Sequence, residues 1–310
     1  MKYTSLMWIV LTGALLAPTD SFAQISCSRE GLQRAVDLYI AAQTKGDISG
    51  LPLATSTSPD GKAQMIVGYM ENVAPADINN GLIKTPMKID FHRSLIDTAT
   101  CQTFTEAIVT DKEHPYVLGT RLRVNHDKIA EIEIIWETTG YWGFNVDNYL
   151  KYSSTEKWDT IPAEKRDTRD TLVAAASAYL DAFLEQKKDL VPWGRPCQRT
   201  EGGMYTGKGS PDDSCDVGVP SGVNIANRRF VVDETIGSVV AFCTFGAGSP
   251  PQPPGSPDSH LFRLENGKLR YVHTLTHLET KNFRGTLPKG SAPGLGAPGG
   301  QAPGAPPKNQ

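Results

Sequence analysis

Two stretches of the chain carry the apolar rhythm of a helix, and they carry it at matching positions. LQRAVDLYIAAQTKGD starts at Leu32 and sets Leu32, Ala35, Val36, Tyr39 and Ile40 on one face. LVAAASAYLDAFLEQKKD starts at Leu172, with a small, tightly packable Ala174–Ala178 run and then Tyr179, Leu180 and Phe183 continuing the apolar face. The i, i+3, i+4, i+7 spacing predicts helices over 27–46 and 168–187. A shift of 140 residues lays Leu32 on Leu172, Ala35 on Ala175 and Tyr39 on Tyr179, and the same shift lays Arg123–Ile129 on Arg263–Leu269. Downstream of each helix the pattern changes to short apolar or alternating runs. These predict strands near 86–94, 101–110, 116–124 and 129–138, and near 228–234, 238–246, 259–265 and 268–278. Residues 47–84 read as irregular, with a short helix before Asn79-Asn80-Gly81.

One offset that serves two distant segments predicts a fold present twice. A helix followed by a meander is an α+β layer design, and a long curved meander closes into a cone that holds a small ligand in its mouth. The expected architecture is therefore two tandem cone-shaped domains, each a helix packed on a curved antiparallel sheet. The first spans 24–155, the second 156–284, and a surface linker covers 151–168. The two copies are expected to pair through their sheet faces as an intrachain pseudo-dimer.

The ends of the chain set the compartment. Lys2, the mostly apolar Leu6–Ala17 and Ser21-Phe22-Ala23 have the form of an export signal over 1–23, too short for a membrane span. Residues 285–310 repeat Ala-Pro-Gly and are expected to stay disordered in solution. Net charge is −3 with mixed signs and no basic block, which argues against nucleic-acid and anionic-membrane partners. Five cysteines in an exported chain are expected to pair. The preferred pairing is Cys27 with Cys101 and Cys197 with Cys215, leaving Cys243 buried and free; four paired cysteines allow other connectivities.

Candidate chemistry concentrates in one hairpin. Asn266-Gly267 is a strong two-residue turn signal between the last two strands. A regular register from that turn sets His260 opposite His273, with Cβ atoms about 5 Å apart, on the face that also carries Phe262 and Tyr271. Asp258 shares the parity of His260. A functional reading makes His260 a base, His273 an acid or electrophile and Asp258 the orienter. The structural reading is a satisfied histidine pair at strand ends. A metal reading adds His277 as a third ligand. Tyr179, Trp193, Phe262, Tyr271 and Glu201 are the candidate substrate-binding residues, although aromatics between helix and sheet are also ordinary core, and Glu201 could simply pair with Arg199. The first domain has Thr120 and Glu133 where the second has the histidines. Its own candidates are His92, Arg93 and Asp97, with a strand residue and a turn cap as the alternative. Asp212, Asp213 and Asp216 could hold calcium or form a solvated loop. No nucleophile elbow, phosphate loop or dinucleotide fingerprint is present.

Several segments carry a family resemblance. They are Asn227–Glu234, Asp258–Arg263, Gly267–Thr276, Trp158–Pro162, and Trp193-Gly194 with Cys197 and Glu201-Gly202-Gly203. Together they resemble an uncharacterised domain family of secreted fungal proteins, over most of 27–280. More distantly the chain is similar to the nuclear-transport-factor-two-like and SnoaL-like superfamily. That resemblance implies a small organic ligand and either a cofactor-free isomerase, dehydratase or cyclase, or a plain binding domain. A secreted wall or matrix protein is a third possibility suggested by the tail.

Overall fold

The computed structural model describes residues 24–57, 62–185, 187–216, 218–248 and 255–280. The predicted export signal and the Pro/Gly tail lie outside them. Helix α1 (Arg29–Lys45) is followed by short strands β1 (Thr55–Thr57), β2 (Ala63–Met65), β3 (Gly68–Glu71) and β4 (Ala74–Pro75). Four longer strands follow: β5 (Phe91–Asp97), β6 (Gln102–Val109), β7 (Tyr116–Asn125) and β8 (Lys128–Thr138). Helix α2 (Val146–Ser153) leads to α3 (Arg169–Glu185), then β9 (Trp193–Glu201), β10 (Met204–Tyr205), β11 (Ile225–Asp233), β12 (Ser238–Phe245), β13 (Ser256–Glu265) and β14 (Lys268–Thr276).

Local chemistry explains where α1 begins and ends. The Ser28 hydroxyl accepts from the Gly31 N–H at 3.0 Å, which gives the first turn a cap. Gly46 takes φ +63° and closes the last turn, a conformation that favours glycine. Leu32, Ala35, Val36 and Tyr39 are fully buried against the first sheet, and Leu172, Ala176, Tyr179 and Leu180 do the same on the second.

The two large sheets share one strand order: β4-β3-β8-β7-β6-β5 and β10-β9-β14-β13-β12-β11. In each, a strand near the start of the unit runs parallel to the last long strand, β3 on β8 and β9 on β14. The sheets are therefore mixed, which corrects the expected all-antiparallel meander. Both parallel strands were missed in the sequence. Met70 and Glu71 are half-buried on a four-residue strand, and β9 carries Pro196 and two arginines, so neither shows a clean period of two.

The molecule is layered α1, sheet, sheet, α3. The faces away from the helices meet each other, where Leu95, Phe104, Ile108, Val117 and Ile135 pack on Val231, Val240, Phe242, Leu261 and Leu275. Polar contacts across this seam come in equivalent pairs. Arg29 binds Asp233, whose carboxylate also accepts from the Ile96 N–H. Arg169 binds Asp97, whose carboxylate accepts from the Val232 N–H. Such reciprocity is what an isologous interface requires.

Disulfides join Cys27 to Cys101 and Cys197 to Cys215, and Cys243 is free and buried. The first ties the start of α1 to the β5–β6 turn, and the second ties β9 to the loop before β11. No helix among the described residues is long and apolar enough to cross a membrane.

Candidate functional site

Strand register decides which side chains meet between α3 and the second large sheet. Neighbours paired across a sheet point to the same face. On the face toward α3, one row reads Cys243, Asp258, Thr276. The next row reads Ala241, His260, Thr274, Glu201, and the third reads Val239, Phe262, Val272, Arg199. Helix α3 lays Tyr179 and Phe183 over them, with rings 5.7 and 5.8 Å from that of His260. A polar stripe thus crosses a helix-facing sheet surface that is otherwise largely apolar.

Every group on the stripe is buried except Glu201, which is partly exposed. Asp258 is 0% exposed and His260 1%. Asp258 Oδ2 lies 2.8 Å from His260 Nε2 and accepts from the Cys243 thiol at 3.6 Å. Its other oxygen, Oδ1, accepts from the Thr276 hydroxyl at 2.9 Å. Because an ionised carboxylate is acceptor only, Nε2 donates to it, and in the neutral ring Nδ1 then accepts from the Thr274 hydroxyl, 3.2 Å away. Burial, reinforced by Asp258, pushes the Cys243 thiol well above its ordinary range. Toward β9, Arg199 donates to the Tyr179 oxygen and pairs with Glu201, which also accepts from the Trp142 indole. Burial raises Tyr179, so it stands as a neutral phenol.

His273 is not part of this group, and the predicted histidine pair is overturned. The register from the Asn266-Gly267 turn holds for Glu265–Lys268 and Leu264–Leu269, then slips by one at Arg270, so that Arg263 faces Tyr271 and His260 faces Thr274. A β-bulge of this kind turns every following side chain to the other face. The equivalent slip sits at Ala130 in the first sheet, where Val124 pairs with Ile129 but Arg123 with Glu131. Tyr271 moves with His273 and stacks on Trp158, away from the cone.

The displaced His273 lies in the seam between the sheets, inside a buried ionic cluster. Its Nδ1 meets Glu106 and its Nε2 meets Glu156, each at 2.8 Å. Arg93 reaches both carboxylates, and the Tyr149 hydroxyl donates to Glu106. Burial alone would lower the His273 pKa, but Glu106 and Glu156 outweigh it and hold it up at about 9.

The remaining candidates fall into place individually. Tyr179 and Phe262 pack together between α3 and the second sheet, their rings 5.1 Å apart, and Trp193 packs on Tyr179 while its indole donates to the Lys188 carbonyl. Glu201 is on the stripe and pairs with Arg199 as well. His277 neighbours Trp136 and Tyr141, accepting from one hydroxyl and donating to one carbonyl, and is not grouped with His260. Asp97 and Arg93 serve the seam, while His92 is exposed. Asp213 accepts from the Lys208 and Gly209 N–H groups and from Gln198, so it holds its loop together. Sequence reasoning missed Arg199, Thr274, Thr276 and the inward place of Cys243; the parity signal existed, but the strand neighbours it needed were unknown. On the α1-facing side of the first sheet the matching rows carry Ala107, Leu118, Trp136 and then Thr105, Thr120, Ile134. That second row continues to Ser94 on one side and Glu71 on the other, with Tyr39–Thr120 and Ser94–Thr105 hydroxyl contacts at 2.6 and 2.9 Å, so the first unit is polar there too but has Leu118 and Thr120 where the second has Asp258 and His260.

Residues 165–276 match the model of a domain of unknown function, DUF8021. Every residue of the stripe lies within that span. No curated protein matches the chain. Among solved structures, a protein assigned as a SnoaL-like polyketide cyclase from Jannaschia sp. CCS1 is similar at 13% identity. The similarity covers 36% of this chain and 91% of that one, with a TM-score of 0.23.

Proposed function

We propose that this is a secreted protein built from two copies of one α+β unit joined as a pseudo-dimer, with a site for a small organic molecule in the second. The observation that carries the reading is the buried Asp258–His260 hydrogen bond, a pair with no counterpart at Leu118 and Thr120 of the first unit. Asp258 orients the imidazole through Nε2–H, and Nδ1 is the atom that takes a proton. The Thr274 hydroxyl marks where that proton would sit. Tyr179 donates to a developing oxyanion, and Arg199, whose buried Nε–H has no hydrogen-bond partner, offers a second donor. This donor set suits a carbonyl-bearing molecule and proton-transfer chemistry such as isomerisation, dehydration or cyclisation. His273, placed in the seam, has no role in it.

The alternative is a binding protein in which the same groups only shape the pocket. The near-complete burial of the stripe favours that reading. A panel of small carbonyl compounds tested for binding and for product separates the two. His260→Ala is expected to abolish product formation while the fold persists; undiminished turnover by that variant would sink the catalytic reading. Saturable binding with no product by the unsubstituted protein would establish the alternative.

A further inference from the structure

Three atoms in the second cone converge in a way that hydrogen bonding alone does not require. Cys243 Sγ, Asp258 Oδ2 and His260 Nε2 all lie within 4.8 Å of one another, and all three residues are buried. The atoms on the far side of each ring or carboxylate are already held: the Thr276 hydroxyl on Asp258 Oδ1, the Thr274 hydroxyl beside His260 Nδ1. Metal-binding histidines and carboxylates need such partners on the atom that does not ligate, because those partners fix the tautomer and the orientation.

We infer that Cys243, Asp258 and His260 form a binding site for a borderline-soft divalent cation of the zinc or cobalt type. The donor set of thiolate, imidazole and carboxylate selects these ions over magnesium and calcium. Two of the three ligand–ligand edges are close to what such an ion needs. For tetrahedral ligation at about 2.3 Å to sulfur and about 2.0 Å to nitrogen and oxygen, the sulfur–oxygen edge is about 3.5 Å and the nitrogen–oxygen edge about 3.3 Å. The first edge is already 3.6 Å, and the second must open by about half an ångström from 2.8 Å. Charge also balances. One thiolate and one carboxylate neutralise a divalent ion, which leaves no net charge among three buried side chains. Three protein ligands leave the fourth position to water or to a heteroatom of a ligand.

Binding has a defined proton balance. The thiol gives its proton to solvent and forms the metal–sulfur bond. Asp258 Oδ2 exchanges two accepted hydrogen bonds for the ion. The imidazole proton leaves Nε2, which takes the metal, and Nδ1 becomes the protonated nitrogen, donating to Thr274. The lone pair that the proton-transfer reading uses is thereby withdrawn. The metal site stands on the geometry alone and does not depend on that reading; the two are exclusive states of one imidazole.

The test uses cobalt, because the other four cysteines are in disulfides and any thiolate–cobalt charge-transfer band must come from Cys243. Co²⁺ is added to the purified protein, natively and during refolding from denaturant, since the site is closed. The expected result is one equivalent bound with a near-ultraviolet thiolate band that Zn²⁺ displaces. In Cys243→Ser, a near-isosteric change, the band should vanish and the affinity should fall by at least tenfold. A zinc-dependent rise in the thermal midpoint should likewise appear in the unsubstituted protein and not in Cys243→Ser. Folded protein that shows no thiolate band under either protocol, or cobalt binding that survives Cys243→Ser unchanged, overturns the site. Turnover of a carbonyl compound by metal-free Cys243→Ser reports on the proton-transfer reading separately.

Discussion

Stability should fall as pH rises through the weakly alkaline range, and His273 should be the reason. Its side chain is 1% exposed between Glu106 and Glu156, and its pKa is held up from 6.5 to about 9. A cationic group whose folded pKa exceeds its unfolded value stabilises the fold fully below the unfolded value, here about 6.5. That contribution shrinks across the window from about 6.5 to about 9 and is gone once the folded protein has also lost the proton. The gap of about two to three pH units corresponds to roughly 3 kcal/mol at about 1.4 kcal/mol per unit. The assay is urea unfolding of the unsubstituted protein and of His273→Gln at about pH 6 and about pH 9.5. At the lower pH the variant should be less stable by about 3–5 kcal/mol, the cost of leaving buried carboxylates short of a cation. At the higher pH the difference should shrink by about 3 kcal/mol. A difference that stays constant between the two pH values would refute the assignment of His273 as a buried cation.

The paired seam contacts predict that Asp97→Ala and Asp233→Ala each cost about 3 kcal/mol in denaturant titrations, since each removes an arginine partner and a backbone acceptor. Glu137 is buried, its pKa is raised well above the ordinary carboxyl range by desolvation, and it accepts from the Thr276 N–H. Glu137→Gln should therefore change stability at neutral pH by less than about 1 kcal/mol, and a larger loss would mean the carboxyl is charged. Replacing Cys27 and Cys101, 74 residues apart, should cost about 4.5 kcal/mol in the loop-entropy model, against about 3 kcal/mol for Cys197 and Cys215, 18 apart, as read by thermal unfolding.

Much of this molecule was written locally. The helical periodicity at Leu32 and Leu172, the strand runs and the Asn266-Gly267 turn depend on neighbours a few residues away. They fixed both long helices and seven of the eight predicted strands to within a few residues; β5 begins five residues later than its predicted span, and the nine-residue β9 was not predicted. Parity along β13 was enough to place Asp258 beside His260, because period-two geometry needs no partner strand. Cysteine spacing pointed to the two disulfides that form. The sequence could not reveal the bulges at Ala130 and Arg270. Nothing in those residues demands a slip; it arises from how twisted strands meet the layers packed on them, and it alone sends His273 to the seam. The parallel strands β3 and β9, and with them Arg199 and Glu201 on the stripe, depend on contacts with chain about 60–75 residues later in sequence. The convergence of Cys243, Asp258 and Thr276 in one row needs three strands in register, a property of the assembled sheet that no single segment contains.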